Sequence, residues 1–150
     1  MAVWLAGRDS AASLSSQHLL VHLINGLIAH WMAPNGDVSD VVQFCRQAVG
    51  DAITQHYLAG TSHLFGVTAI ALSRVGAAET GAALLGAMQA NGHVPRDPAV
   101  PMLKSALGDE FESALLVGRG WTVDEAGAVA LEALDAAGPQ LDQPAMAKSV

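Results

Sequence analysis

The chain contains a single cysteine, Cys45, so no disulfide can form within it. That usage suits a reducing compartment. Basic residues are scarce as well: 7 Lys and Arg stand against 14 Asp and Glu, for a formal charge of −7. Binding along nucleic acid depends on many phosphate-neutralising cations, and docking on anionic lipid depends on a basic patch. Neither class of partner fits this balance. Strand signals are almost missing, since no run of alternating β-branched residues is bounded by a two-residue hairpin turn. Long hydrophobic runs are missing too. The most apolar stretch, LLVHLINGLIAHWMA at 19–33, falls short of the roughly 20 residues that span a bilayer, and His22, Asn25 and His30 interrupt it. The first residues, MAVWLAGRDSAASLSS, lack a basic segment followed by an apolar one, which argues against a secretory signal. The expected location is the cytoplasm, with no membrane partner.

What is present is helix-forming. Of 150 residues 51% are apolar, and 28 are alanine. That length predicts one domain, over 1–137, with a flexible tail from Gly138 onward, where two prolines stand in a segment without periodicity. A first helix is expected from about Ser13 to Ala33, stopped by Pro34-Asn35-Gly36. Asp37 then caps a second, whose apolar stripe is Val41, Val42, Cys45, Ala48 and Val49. A third spans about Thr61 to Arg74, with Leu64, Phe65, Thr68, Ala69 and Leu72 on one side. A fourth covers Ala78 to Ala90 and ends at Asn91-Gly92. Asp97-Pro98 reads as an N-cap followed by proline at the first helical position. The helix it opens is interrupted by Gly108 and resumes to a stop at Gly118. Thr122 and Glu125 form a capping box for the last helix, through about Ala136.

At an offset of 40 residues, Gly26 falls on Gly66, Ala29 on Ala69, Gly36 on Gly76, Phe44 on Leu84 and Cys45 on Leu85. The two blocks, about 19–50 and 59–90, both read as helix, glycine turn, helix. This is the logic of tetratricopeptide-like repeats, in which a small residue lets paired helices approach and stacked hairpins share a core. The expected fold is therefore all-α: antiparallel hairpins with a C-terminal helical cap at about 98–136.

Groups that carry chemistry elsewhere have plainer readings here. His18 and His22 share a helix face at four-residue spacing, but no cysteine or carboxylate pair completes a metal site. His56, His63 and His93 fall near helix ends, and no strand-turn-helix nucleophile elbow accompanies them. Cys45 lies on an apolar stripe, with Arg46 on another face, which predicts a buried inert thiol. Gly118-Arg119-Gly120 follows no strand and is read as a helix stop, with Trp121 as a hydrophobic staple toward Ala126. Asp109, Glu110 and Glu112 read as a solvated acidic face. No catalytic residue, cofactor site or metal site is expected.

Two segments carry more. Ala83, Leu84, Leu85, Gly86 and Ala87 are followed, after a proline-bearing linker, by Leu107, Gly108, Asp109, Phe111, Ala114, Gly118, Thr122, Glu125, Ala126, Ala130 and Leu131. This pattern, over about 59–134, resembles the C-terminal part of the helical-repeat region in actinobacterial LuxR-type transcriptional regulators and related adenylate cyclase–ATPase fusions. The chain has no GxxxxGK[ST] phosphate loop, and it shows neither a cyclase nor a helix-turn-helix module. The resemblance thus implies a non-enzymatic helical-repeat piece that acts through surface recognition. The apolar helix at 19–33 is expected to mediate self-association as a homodimer. Two alternatives are a transcription-regulatory accessory protein working through a partner, and a small helical ligand- or metal-binding domain using the histidines.

Overall fold

A computed structural model of the chain describes residues 31–56, 63–95 and 98–141. Residues 31–35 are helical and lead through Gly36 into α1 (Val38–Thr54). Then come α2 (His63–Arg74), α3 (Ala78–Ala90), α4 (Ala99–Leu107), a 3-10 turn at Gly108–Glu110, α5 (Phe111–Arg119) and α6 (Val123–Leu141). Among the described residues there is no strand, so the fold is all-α. Most of the expected first helix, with His18 and His22, lies outside the described residues.

Two of the expected N-terminal caps are in place. Asp37 Oδ1 accepts the backbone N–H of Ser39 at 2.9 Å and of Asp40 at 3.4 Å, occupying two of the donors that a helix start leaves without partners. At α6, Thr122 N–H donates to Glu125 Oε2 at 2.7 Å, and Glu125 N–H to Thr122 Oγ1 at 3.2 Å. α1 begins two residues after Gly36, and α3 two residues after Gly76. The two turns differ in conformation: Gly76 has φ +82°, open only to glycine at low cost, whereas Gly36 does not take a left-handed conformation. A methyl group at Gly36 would instead press on the Met32 carbonyl, 2.9 Å away.

α2 lies at the centre. It packs against α1, α3, α4 and α6. Every residue from Leu64 to Leu72 is buried, so burial runs all round the helix and not along one side as the spacing alone predicts. α3 is covered in the same way from Gly81 to Met88. Phe65, Leu72, Leu84, Leu85, Leu103 and Leu134 are fully enclosed, and burying each such side chain contributes on the order of 2 kcal/mol. Arg74, half-buried at the end of α2, donates to the Ala33 carbonyl at 2.8 Å and to the Gly36 carbonyl at 2.7 Å. Its planar fork thus satisfies two carbonyls at the turn before α1 and fixes that turn against α2.

The closest helix contact is between α3 and α5. A Cβ built on Gly86 would fall on the Leu115 carbonyl oxygen, and one built on Gly118 would fall on the Ala83 carbonyl oxygen. The two contacts are reciprocal, as an antiparallel crossing requires. Each glycine directs a Cα hydrogen at the facing carbonyl, a weak interaction of about 0.5–1 kcal/mol. Between α2 and α3 the close point is Gly81, where a methyl would lie 2.9 Å from the Ala69 carbonyl oxygen. Gly66, aligned with Gly26 in the repeat comparison, has only ordinary contact with Met88 Sδ at 3.5 Å. The close approach therefore falls at Ala69, one turn further along α2.

Three boundaries differ from expectation. Gly118 is inside α5 and not its stop; the helix continues to Arg119, and Gly120 is the C-cap, because Gly118 is needed for contact with α3. α6 runs through Gly138 and Pro139 to Leu141, past the expected end near Ala136 and into the segment read as a tail. Pro139 is tolerated there because in the last turn it removes one backbone bond, to the Asp135 carbonyl. α4 starts at Ala99 with Pro98 as its N-cap, one position earlier in the helix scheme than expected; the Pro98 carbonyl accepts Met102 N–H at 3.1 Å.

One substitution should act in opposite directions at two glycines. Gly118→Ala forces α3 and α5 apart and is expected to destabilise by about 3 kcal/mol or more. Gly50→Ala, in α1 with nothing within 4 Å of the added methyl, should stabilise by about 0.5–1 kcal/mol. Urea unfolding monitored by circular dichroism reads both.

Candidate functional site

An open cleft of about 430 Å³ lies between α1 and α6. It is lined by Gln43, Arg46, Gln47, Gly50 and Asp51 from α1 and by Leu131 and Asp135 from α6. The α1 positions recur at three- and four-residue steps on the side away from the Val41, Val42, Cys45 and Val49 stripe, so the helix period alone brings them together. Arg46 Nε is ion-paired with Asp135 Oδ1, and both side chains are about half exposed (57% and 47%). A pair so open to solvent contributes little to stability. Chemically the cleft offers two amides, the Asp51 carboxylate and a guanidinium and carboxylate already paired with each other. It can form hydrogen bonds with a polar group but presents no nucleophile beside a base.

Cys45 is buried, as expected, and Arg46 points outward from the neighbouring face. Burial pushes its thiol from the ordinary value of 9.0 up to about 12, because the thiolate would lose its hydration; the nearby Thr68 hydroxyl offsets this only in part. That hydroxyl lies outside hydrogen-bond geometry, so Thr68 Oγ1 is a buried polar atom without a partner. Among the described residues, Thr68 is also the buried polar residue within an otherwise apolar core.

The described histidines, His56, His63 and His93, lie at or near helix ends. His56 follows α1 in a left-handed conformation at φ 54°, His63 opens α2, and His93 lies exposed after α3 with Nδ1 3.1 Å from the Asn91 carbonyl oxygen. Among the described residues no three His, Cys, Asp or Glu side chains gather at metal-binding distance. No described helix is long and apolar enough to cross a membrane. Asp109, Glu110 and Glu112 are exposed, in keeping with a solvated face. Trp121 is half-buried against the core next to the Thr122 cap.

Sequence reasoning missed three features. The Arg46–Asp135 pair and the Arg74 clamp join residues far apart in the chain, and no local pattern marks them. Leu116 and Val117 fit a helical apolar pattern, yet they are 60% and 59% exposed. A helical wheel could have found them, since Phe111, Ala114, Leu115 and Gly118 already fill the inner face of α5. Comparison with family models, curated proteins and solved structures finds no match for this chain.

Thr68→Val replaces the unpartnered hydroxyl with a methyl of similar size and should stabilise by about 1 kcal/mol, read as a higher urea midpoint at unchanged slope. Cys45 supplies a pH dependence. Above about pH 9 the unfolded chain loses the thiol proton while the folded chain retains it, so stability should fall with rising pH until about 12. Cys45→Ser or Cys45→Ala should flatten that part of the profile. At pH 8 a small disulfide reagent should label the native thiol only as fast as the protein opens.

Proposed function

We propose that this chain is a non-enzymatic helical module for protein–protein interaction, of the kind found in the C-terminal helical-repeat region of LuxR-type regulators. The observation that carries the reading is the exposure of large apolar side chains on an otherwise well-sorted surface. Trp31 is 66% exposed, Val94 82%, Leu116 60% and Val117 59%, on a chain whose central helices bury nine and eight consecutive residues. Such positions are where a partner surface gains most from excluding water.

The residues behind the family resemblance support the same reading. Ala83, Leu84, Leu85, Gly86 and Ala87 are buried in α3, and Phe111, Ala114 and Gly118 pack from α5. Ala126 and Ala130 lie on the buried face of α6. The shared pattern is thus a packing pattern; it bears on how the helices stack and not on a reaction. In this reading the described parts of the two expected repeats (about 19–50 and 59–90) belong to tetratricopeptide-like hairpins that stack beneath the cap formed by α4 to α6. The buried reduced thiol suits a cytoplasmic module.

The partner in this reading is a protein, and the simplest is a second copy. The segment expected to mediate self-association, 19–33, lies mostly outside the described residues. At its end Met32 and Ala33 are covered by the chain's own core while Trp31 faces solvent. Gel filtration with light scattering on the full chain at micromolar to millimolar concentration should give a weight-average mass that rises above the monomer's 15.4 kDa. A constant monomer mass up to the solubility limit overturns self-association.

A further inference from the structure

We propose that the outer face of α5 is a two-fold interface on which a second copy of this chain docks antiparallel. The inference rests on the interaction-module reading and adds the surface and the direction of docking. α5 turns Phe111, Ala114, Leu115 and Gly118 inward. Ser113, Leu116, Val117 and Gly120 therefore share the opposite side, at three- and four-residue steps, and all four are exposed. Leu116 and Val117 stand between two small residues, so the face is a low apolar ridge with a recess at each end. A second copy rotated by two-fold symmetry sets its ridge beside the first and its recesses against the partner ridge.

Charge selects the occupant and the direction. Glu112 and Arg119 are two helical turns apart on one edge of this face, and both are exposed. With the symmetry axis beside Leu116, Glu112 of one copy meets Arg119 of the partner subunit, and the reverse pair forms at the other end. A parallel arrangement would instead bring Asp109, Glu110 and Glu112 of both copies to one end, where six carboxylates repel. Arg119 already donates to Gln89 Oε1 at 3.0 Å, which holds its guanidinium at the rim with further donors open to a carboxylate. One nine-residue helix is only about 13 Å long. The buried area falls below that of standard stable interfaces, so the dimer is weak, with a dissociation constant on the order of 100 μM.

Sedimentation equilibrium on the full chain, with circular dichroism to confirm folding, tests this. Glu112→Lys sets lysine against Arg119 of the partner subunit, and Arg119→Glu sets two glutamates together. Each should weaken association about tenfold. The double variant E112K/R119E restores opposite charges and should return to within about threefold of the original chain. Leu116→Asp should abolish association. A double variant no better than the worse single one overturns the charge pairing. If the chain self-associates and none of these variants alters it, the α5 surface is wrong while the interaction-module reading stands. If the unaltered chain is strictly monomeric, the α5 dimer fails, while the interaction-module reading stands only with a partner of another sequence.

Discussion

The contact between α3 and α5 constrains the rest of the molecule. Gly86 and Gly118 bring the two backbones together so closely that neither position has room for a methyl group. Hydrophobic burial alone would not select this arrangement, because larger side chains on both helices would bury more area at a wider spacing. The near-contact fixes both the rotation and the register of α5. With Gly118 against Ala83 and Gly86 against Leu115, Phe111 and Leu115 must enter the core. Glu112, Leu116 and Arg119 must then face away from it. The exposed apolar ridge is a geometric consequence of the glycine crossing, and the two features stand or fall together.

Much of the fold is legible from local chemistry. The Asp37 cap, the Thr122–Glu125 box, the glycine at Gly76 and the full extent of Ala78–Ala90 follow from side chains that act within a few residues of their own backbone. What was not legible depends on distant neighbours. Gly118 has the same local look as a helix terminator, and only Ala83 on another helix makes it an interior packing residue. Arg74 has the look of a favourable cation at a helix end, yet its hydrogen bonds reach back to Ala33 and Gly36. The all-round burial of α2 exceeds what its period suggests because four helices surround it. Pro139 reads as a breaker, but Ala137 is buried against the bundle and holds the helix to that point.

The same distinction separates what the sequence says about chemistry from what it says about surfaces. Cys45 is buried by its own helix stripe, a local pattern that the sequence displays. The neighbouring Thr68 hydroxyl, buried without a partner, is a small local conflict inside an otherwise consistent core. Conflicts of that kind mark function only where a ligand could reach them, and this one is buried within α2 close to Cys45 of α1. The cleft above α1 has the opposite character. It is reachable, but Arg46 and Asp135 engage each other there.

A weak, symmetric contact is what a helix of this size can supply, and its limits follow from the composition of its edge. Two leucines and two valines exclude too little water to hold copies together at low concentration, so orientation depends on the Glu112 and Arg119 edges. Those edges are exposed and therefore screened by salt. With a net charge of −7 on each copy, long-range repulsion opposes association and is reduced by the same salt. The two dependences have opposite signs. Raising ionic strength first relieves repulsion between the acidic bodies and then weakens the local ion pairs, so association passes through a maximum at intermediate salt. An interface held by apolar area alone would only strengthen as salt increases.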